Sequence, residues 1–198
     1  MVDTLCDRTR GQNAPVTCFY FDFAARNEQS ATNTLGSLLK QMINGTGGIP
    51  EEIWQALREQ KGAVGGRRPQ LVDIVKMLQL VTASQRTYMC IDALDECTTA
   101  QQFRLFDSLK EILDKSPRAR LFVTGRSHIQ AEIENRLAGR VTSISVVPAR
   151  EDIANFLRFR LRYDEMPDAM DASLKAEILD KIPETISEMC VGEIILKI

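Results

Sequence analysis

The sequence predicts an α/β protein built on a doubly wound parallel sheet, followed from about residue 149 by the start of a helical subdomain. Three observations carry that expectation. Short apolar runs rich in β-branched and aromatic residues, VTCFYFDF (16–23), TYMCID (87–92) and RLFVTG (120–125), read as strands buried on both faces. The stretches between them repeat apolar residues at the spacing of amphipathic helices. Strand and helix alternate, which implies βαβ units with right-handed crossovers.

In chain order, Val2, Leu5 and Cys6 give about two turns of apolar helix face, read as the tail of a helix. After the strand at 16–23, the positions Ala31, Leu35, Leu38, Leu39, Met42 and Ile43 form a helical stripe that Asn44-Gly45 ends. Pro50 with Glu51 and Glu52 opens a second helix, and Arg58 and Lys61 close it before Gly62, as the helix dipole favours. Trp54 on that helix is expected in the core. The loop GAVGGRRP (62–69) leads to a helix carrying Leu71, Ile74, Val75, Leu78 and Val81. Beyond the strand at 87–92, Thr98 or Thr99 can cap a helix with Gln101 or Gln102 as capping-box partner, and Phe103, Phe106, Leu109 and Leu113 lie along its buried face. Then come the strand at 120–125, a helix with Ile129, Ile133 and Leu137, and the strand VTSISVV (141–147) before Pro148. The pattern after 148 is helical, with Ile153, Phe156, Leu157 and Leu161 on one face, a break at Met166-Pro167-Asp168, and further helices.

Composition excludes several function classes. Twenty-five Lys and Arg against 27 Asp and Glu give a net charge of −2, without the basic excess that phosphate-backbone binding requires, so no nucleic acid partner is expected. A single histidine, His128, rules out multi-histidine metal sites. The five cysteines, Cys6, Cys18, Cys90, Cys97 and Cys190, are scattered without a CxxC pair, which fits reduced thiols. No apolar run approaches the roughly 20 residues of a membrane span, and the first residues lack a signal peptide's apolar segment. The expected location is the cytoplasm. A chain of 198 residues buries roughly 70% of its unfolded surface and needs no metal or disulfide to hold a core.

Ligands of open parallel sheets bind at the carboxyl ends of the strands. The strand Tyr88-Met89-Cys90-Ile91 ends on Asp92, with Asp95 and Glu96 three and four residues on. A strand tip that delivers a carboxylate suits a hard cation beside phosphates, and a second acid nearby can orient or deprotonate a water. The same pattern also describes an aspartate closing a turn, with two acids at the positive end of the next helix. Arg126, after Gly125, has a plain reading as a solvated helix-start residue, and Arg158, Arg160 and Arg162 spread around a helix as a solvated face.

The string CIDALDE resembles the extended Walker B segment of NACHT-type NTPases in the STAND class, and Leu121-Phe122-Val123-Thr124-Gly125-Arg126 resembles their sensor 1 strand. CFYFDF, a polar turn and the helix LGSLLKQMI are similar to the segment after the P-loop helix in fungal NACHT proteins of the nephrocystin-like N-terminal type. The resemblance implies a P-loop NTPase core of the ASCE type over residues 1–148 and the start of a helical subdomain over 149–198. It implies Mg²⁺ with ATP or ADP as cofactors: Asp92 in magnesium coordination, Asp95 and Glu96 in water activation or switching, Arg126 at the γ-phosphate with Thr124 as its polar neighbour. Family members act as nucleotide-controlled switches that oligomerise.

No GxxxxGK[ST] occurs in these residues, so the resemblance also implies a core lacking its first strand and P-loop, and with them most of the phosphate cradle. Purine nucleotide binding by the chain alone is therefore expected to be weak or absent, and enzymatic activity is open. Loss of the first strand would open two apolar strand edges, so either 141–147 closes up beside 120–125 or the chain is expected to be a fragment of a longer protein. The segment ISEMCVGEIILKI is expected to lead into a longer helical region. Protein partners or self-association through further domains are expected. The alternative reading is a non-enzymatic interaction or regulatory module that keeps the NTPase architecture. A receiver-like domain using Asp92 as phosphate acceptor is disfavoured, because no lysine follows a later strand in the required position.

Overall fold

β-Branched and aromatic side chains favour extended backbone, and three of the apolar runs form neighbouring parallel strands: β1 (Val16–Tyr20), β2 (Thr87–Asp92) and β3 (Ala119–Arg126). The computed structural model describes the chain apart from residues 1, 13, 46–50, 52, 56–57, 59–68, 138–140, 147, 164–169, 190–191 and 197–198, and apart from the side chains of 186–189 and 192–196. In register, Cys18 lies beside Cys90 and Cys90 beside Phe122, while Val16 pairs with Tyr88 and Tyr88 with Arg120. Because side chains alternate along a strand, these residues share one face, with Tyr20, Asp92 and Thr124 at its carboxyl end.

The opposite face, with Phe19, Met89, Ile91, Leu121 and Val123, is the floor of the hydrophobic core. Helices α2 (Ala31–Gly45), α3 (Leu71–Ser84) and α4 (Thr99–Lys115) supply the rest of that core, with Leu35, Leu38, Met42, Leu78, Leu105, Phe106 and Leu109 all fully buried. α2 packs on β1 and α3, and α3 on α4. On the other face α1 (Val2–Thr9) packs against β1. Ile129, Ile133 and Leu137 are buried around the short helix α5 (Gln130–Arg136), as their spacing predicts. The chain is thus a mixed α/β protein with parallel strands.

Several local expectations are corrected. The strand expected to reach residue 23 stops at Tyr20, because the Asp22 carboxylate accepts from the Ala24 N–H at 2.9 Å and turns the chain into a 3₁₀ segment at Phe23–Ala25. Thr98 caps α4 without a side-chain bond, and no capping box forms there. Gln101 instead accepts from the Ala31 N–H at 3.0 Å, at the first residue of α2, and Gln102 donates to the Leu94 and Cys97 carbonyls. Phe103 is 37% exposed beneath the Arg136 guanidinium, 4.3 Å above its ring. The helix expected over 50–61 falls largely outside the described residues; within it Ile53 is buried, whereas Trp54 is 36% exposed with Arg58 at 5.2 Å from its ring. The loop at 62–69 lies almost entirely outside the description.

The sheet order is β1-β2-β3-β5-β4, with β4 at Thr142–Val146 and β5 at Gly192–Leu196. The expected closing-up of 141–147 beside 120–125 does not occur: β4 does not lie against β3, because β5 runs between them. The run GEIIL is too short for a helix and rich in isoleucine, and a strand there satisfies the backbone groups of both neighbours. At the other edge, Cys18 is sealed by a side chain: its N–H donates to Gln41 Oε1 at 2.9 Å and its carbonyl accepts from Gln41 Nε2 at 2.8 Å.

The chain divides into two compact units, Met1–Ile144 together with Ile194–Ile198, and Ser145–Glu193. In the second unit α6 (Arg150–Arg162) packs on α7 (Ala172–Met189), and Arg150 bridges Asp180 at 3.5 Å and Glu184 at 3.3 Å. Ile153 is buried, but Phe156 is 62% exposed. At 100° per residue it stands about 100° from the centre of the stripe formed by Ile153, Leu157 and Leu161, so it cannot share their contacts. Among the described residues no helix is long and apolar enough to cross a membrane.

Candidate functional site

The carboxyl ends of β2 and β3 lie side by side, which brings Asp92 and Thr124 together. The Thr124 hydroxyl donates a short hydrogen bond to Asp92 Oδ1 and accepts from the Ala93 N–H at 3.0 Å. One threonine therefore fixes the carboxylate and the first peptide after the strand. Ala93 has φ 53°, the one non-glycine residue in the left-handed region among the described residues. Such a conformation costs on the order of 1 kcal/mol and persists where the surroundings impose it. Here it turns the chain sharply from β2 into a 3₁₀ segment, Leu94–Glu96. Leu94 is fully buried and anchors that turn from below.

The acidic turn leans on the end of β3. Asp95 Oδ1 accepts from the Arg126 backbone N–H at 3.3 Å, and Asp95 Oδ2 lies 3.3 Å from Arg126 Nε. Arg126 Nη2 lies 3.3 Å from Glu96 Oε1. The partners differ in environment: the Asp95 side chain is 6% exposed and that of Arg126 72%. A nearly buried carboxylate needs such partners, whereas pairs made by an exposed guanidinium stabilise the fold by only about 0–1 kcal/mol. Gly125 permits the close approach, since a Cβ there would lie 3.3 Å from Asp95 Oδ1 and 2.4 Å from Ile129 Cδ1.

Beside Asp92 opens a cavity of about 280 Å³ whose lining includes Asp3, Cys18, Tyr20, Cys90, Asp92 and Thr124. Burial pushes the Cys90 thiol up to about 12, helped by the neighbouring Cys18 and Cys6, so it stays protonated at neutral pH. The Tyr20 phenol is raised above its ordinary value, first by the Cys18 thiol beside it, then by burial, its hydrogen bond with Cys18, and the charges of Asp92 and Asp3. The charged side chains of the lining, Asp3 and Asp92, are both acidic.

Of the residues singled out from sequence, Asp92 and Thr124 meet in the cavity wall. Asp95, Glu96 and Arg126 meet one another in an adjacent cluster outside the lining. His128 is exposed, and Arg158, Arg160 and Arg162 lie on exposed positions of α6. Asp3, Cys18 and Tyr20 were not anticipated. The strand register that puts Cys18 beside Cys90 is a long-range fact, and the apolar alternation of VTCFY carries no sign of it.

Among the described residues no group of three or more His, Cys, Asp or Glu side chains converges to hold a metal by itself. The donors at the strand ends are nonetheless hard oxygens, and Asp92 keeps acceptor capacity beyond its bond to Thr124. That set suits Mg²⁺, which takes one or two carboxylates and completes its shell with phosphate and water. Residues 1–126 match the family model described as nephrocystin 3, N-terminal. The match spans α1 to the end of β3 and so contains every residue of the site. No curated protein and no solved structure matches the chain.

Proposed function

We propose, for a chain that belongs to the nephrocystin 3 N-terminal family, that the ends of β2 and β3 form part of the nucleotide-binding switch domain of a NACHT/STAND signalling NTPase. The observation that carries this reading is the strand-end carboxylate Asp92, held by Thr124 of the adjacent strand next to the acidic turn Asp95-Glu96. Asp92 would hold Mg²⁺, and Thr124 keeps its oxygen oriented. A magnesium ion bound there would neutralise phosphate charge. Asp95 and Glu96 would orient or deprotonate a water, and Arg126 would meet the terminal phosphate of ATP.

The 198 residues contain no GxxxxGK[ST] to cradle phosphates, so nucleotide binding by this chain is weak and hydrolysis slow or absent. A second reading, a non-enzymatic interaction module with NTPase architecture, is favoured by the commitment of Arg126 to Asp95 and Glu96. Thermal unfolding with millimolar Mg·ADP or Mg·ATP separates the two. The switch reading expects a rise of about 2–4 °C for each kcal/mol of binding, abolished by Asp92→Ala. No rise, or one that survives the substitution, leaves the interaction module.

A further inference from the structure

The second unit, Ser145–Glu193, carries a line of aromatic rings that its own packing leaves uncovered. Along one side of α6, which packs on α7, Ile153 is buried and Leu157 and Leu161 are half-buried. A different line along the same helix holds Phe156, Phe159 and, at its end, Tyr163, exposed by 62%, 59% and 66%. Single exposed apolar residues are ordinary, but three rings in one line make a contiguous patch, which marks an interaction surface. Their spacing, three residues and then four, is that of the a and d positions of a helix-pairing seam. The Phe159 and Tyr163 rings already rest on each other, with centroids 4.8 Å apart. Asp152, one turn earlier in the same line and exposed, bounds the seam.

Charge decides what can cover it. With Phe156 and Tyr163 at a and Phe159 at d, Arg160 and Arg162 take the flanking e and g positions, and both are exposed. Neither makes an ion pair among the described residues. Arg162 instead lies 5.9 Å from the centre of the Tyr163 ring. From 153 to 163 the sequence holds no Asp or Glu. A second copy of the same seam would set arginine against arginine, because g faces e in a parallel pair, while e faces e and g faces g in an antiparallel one. α6 is therefore a poor partner for itself. We infer that Phe156, Phe159 and Tyr163 form a docking seam for an amphipathic α-helix of another protein, whose apolar stripe is flanked by Asp or Glu. The rings enter that stripe, as aromatic anchors do at the centre of an interface. Arg160 and Arg162 meet acids on either side of it and reject a basic helix.

The test uses the full chain and labelled synthetic helical peptides with Leu at a and d, flanked at e and g by Glu or, as the control, by Lys. Fluorescence anisotropy reads binding. The Glu peptide is expected to bind about tenfold tighter than the Lys peptide. Phe156→Ser combined with Phe159→Ser is expected to weaken it by about tenfold or more, with the unfolding temperature unchanged because both rings are exposed. Arg160→Glu combined with Arg162→Glu is expected to turn the preference to the Lys peptide. A Glu peptide that does not bind, binding indifferent to loss of both phenylalanines, or a preference that survives the charge reversal overturns the inference. Self-association in sedimentation that the phenylalanine variant abolishes also overturns it, by making the seam homotypic. Binding to phosphatidylserine vesicles in place of the Glu peptide overturns it in favour of an anionic lipid surface.

Discussion

The two faces of the β1–β2–β3 sheet are built from the same strands and do different work. Along β2, Met89 and Ile91 point into the core and are at most 1% exposed, while Tyr88, Cys90 and Asp92 point to the other side. Along β3, Leu121 and Val123 join the core, while Arg120, Phe122 and Thr124 do not. Three helices cover the first face; on the second, α1 leaves a cavity at the strand ends, lined by Asp3 and Asp92 among thiol and apolar side chains. Cys90 shows that burial alone does not distinguish them, since it is 2% exposed yet outside the core cluster. The face that makes the fold is apolar apart from the buried threonines Thr17 and Thr87, and the face that carries the candidate site mixes thiols, phenols and carboxylates.

The largest expected difference is between neighbours in β3. Leu121→Ala removes a buried side chain from the packed face and is expected to cost roughly 2–5 kcal/mol. Phe122→Ala, on the half-covered face, should cost less than half as much despite deleting a larger group. Urea unfolding of the two variants checks this, and equal losses would remove the distinction between the faces. Next in size is Gly125→Ala, where the added Cβ meets Ile129 and the Asp95 carboxylate. A loss of roughly 1–3 kcal/mol is expected, read from the same urea unfolding. The last effect is absent at neutral pH and appears only in alkali. The folded-state value of Cys90, about 12 against an ordinary 9.0, means that the unfolded chain gives up the proton first as pH rises. Its stabilising contribution is complete below pH 9 and is lost between pH 9 and 12. Cys90→Ala should flatten that part of the stability profile, and an unchanged profile would show that the thiol is not desolvated.

Much of the packed face was legible from the chain. Runs such as TYMCID lack period because their strand is covered above and below, and the helical stripes of α2, α3 and α4 repeat at the spacing that buries them. The placement of Asp92 at a strand end and of Asp95 and Glu96 in the following turn also followed from local pattern. What depended on distant partners was not legible. Asp3, Cys18 and Tyr20 reach the cavity through strand register and the packing of α1. Gln101 was read as a capping residue, yet its amide is spent on α2, 70 residues away. GEIIL follows helices and looked like more of the same, and its place between β3 and β4 is set by the backbone groups waiting there. Phe156 and Trp54 satisfied a helical stripe in sequence but fall at its margin in space.

The amide of Gln41 has a consequence for how the molecule meets others of its kind. By offering one acceptor and one donor to Cys18 at the middle of β1, it imitates the neighbouring strand that this edge lacks. Its Nε2 also reaches Ser37 Oγ at 3.3 Å, so the imitation is braced from its own helix. An extended chain approaching β1 must first displace two hydrogen bonds from the centre of the strand. The sheet is therefore closed to growth on the side of β1 by a single side chain.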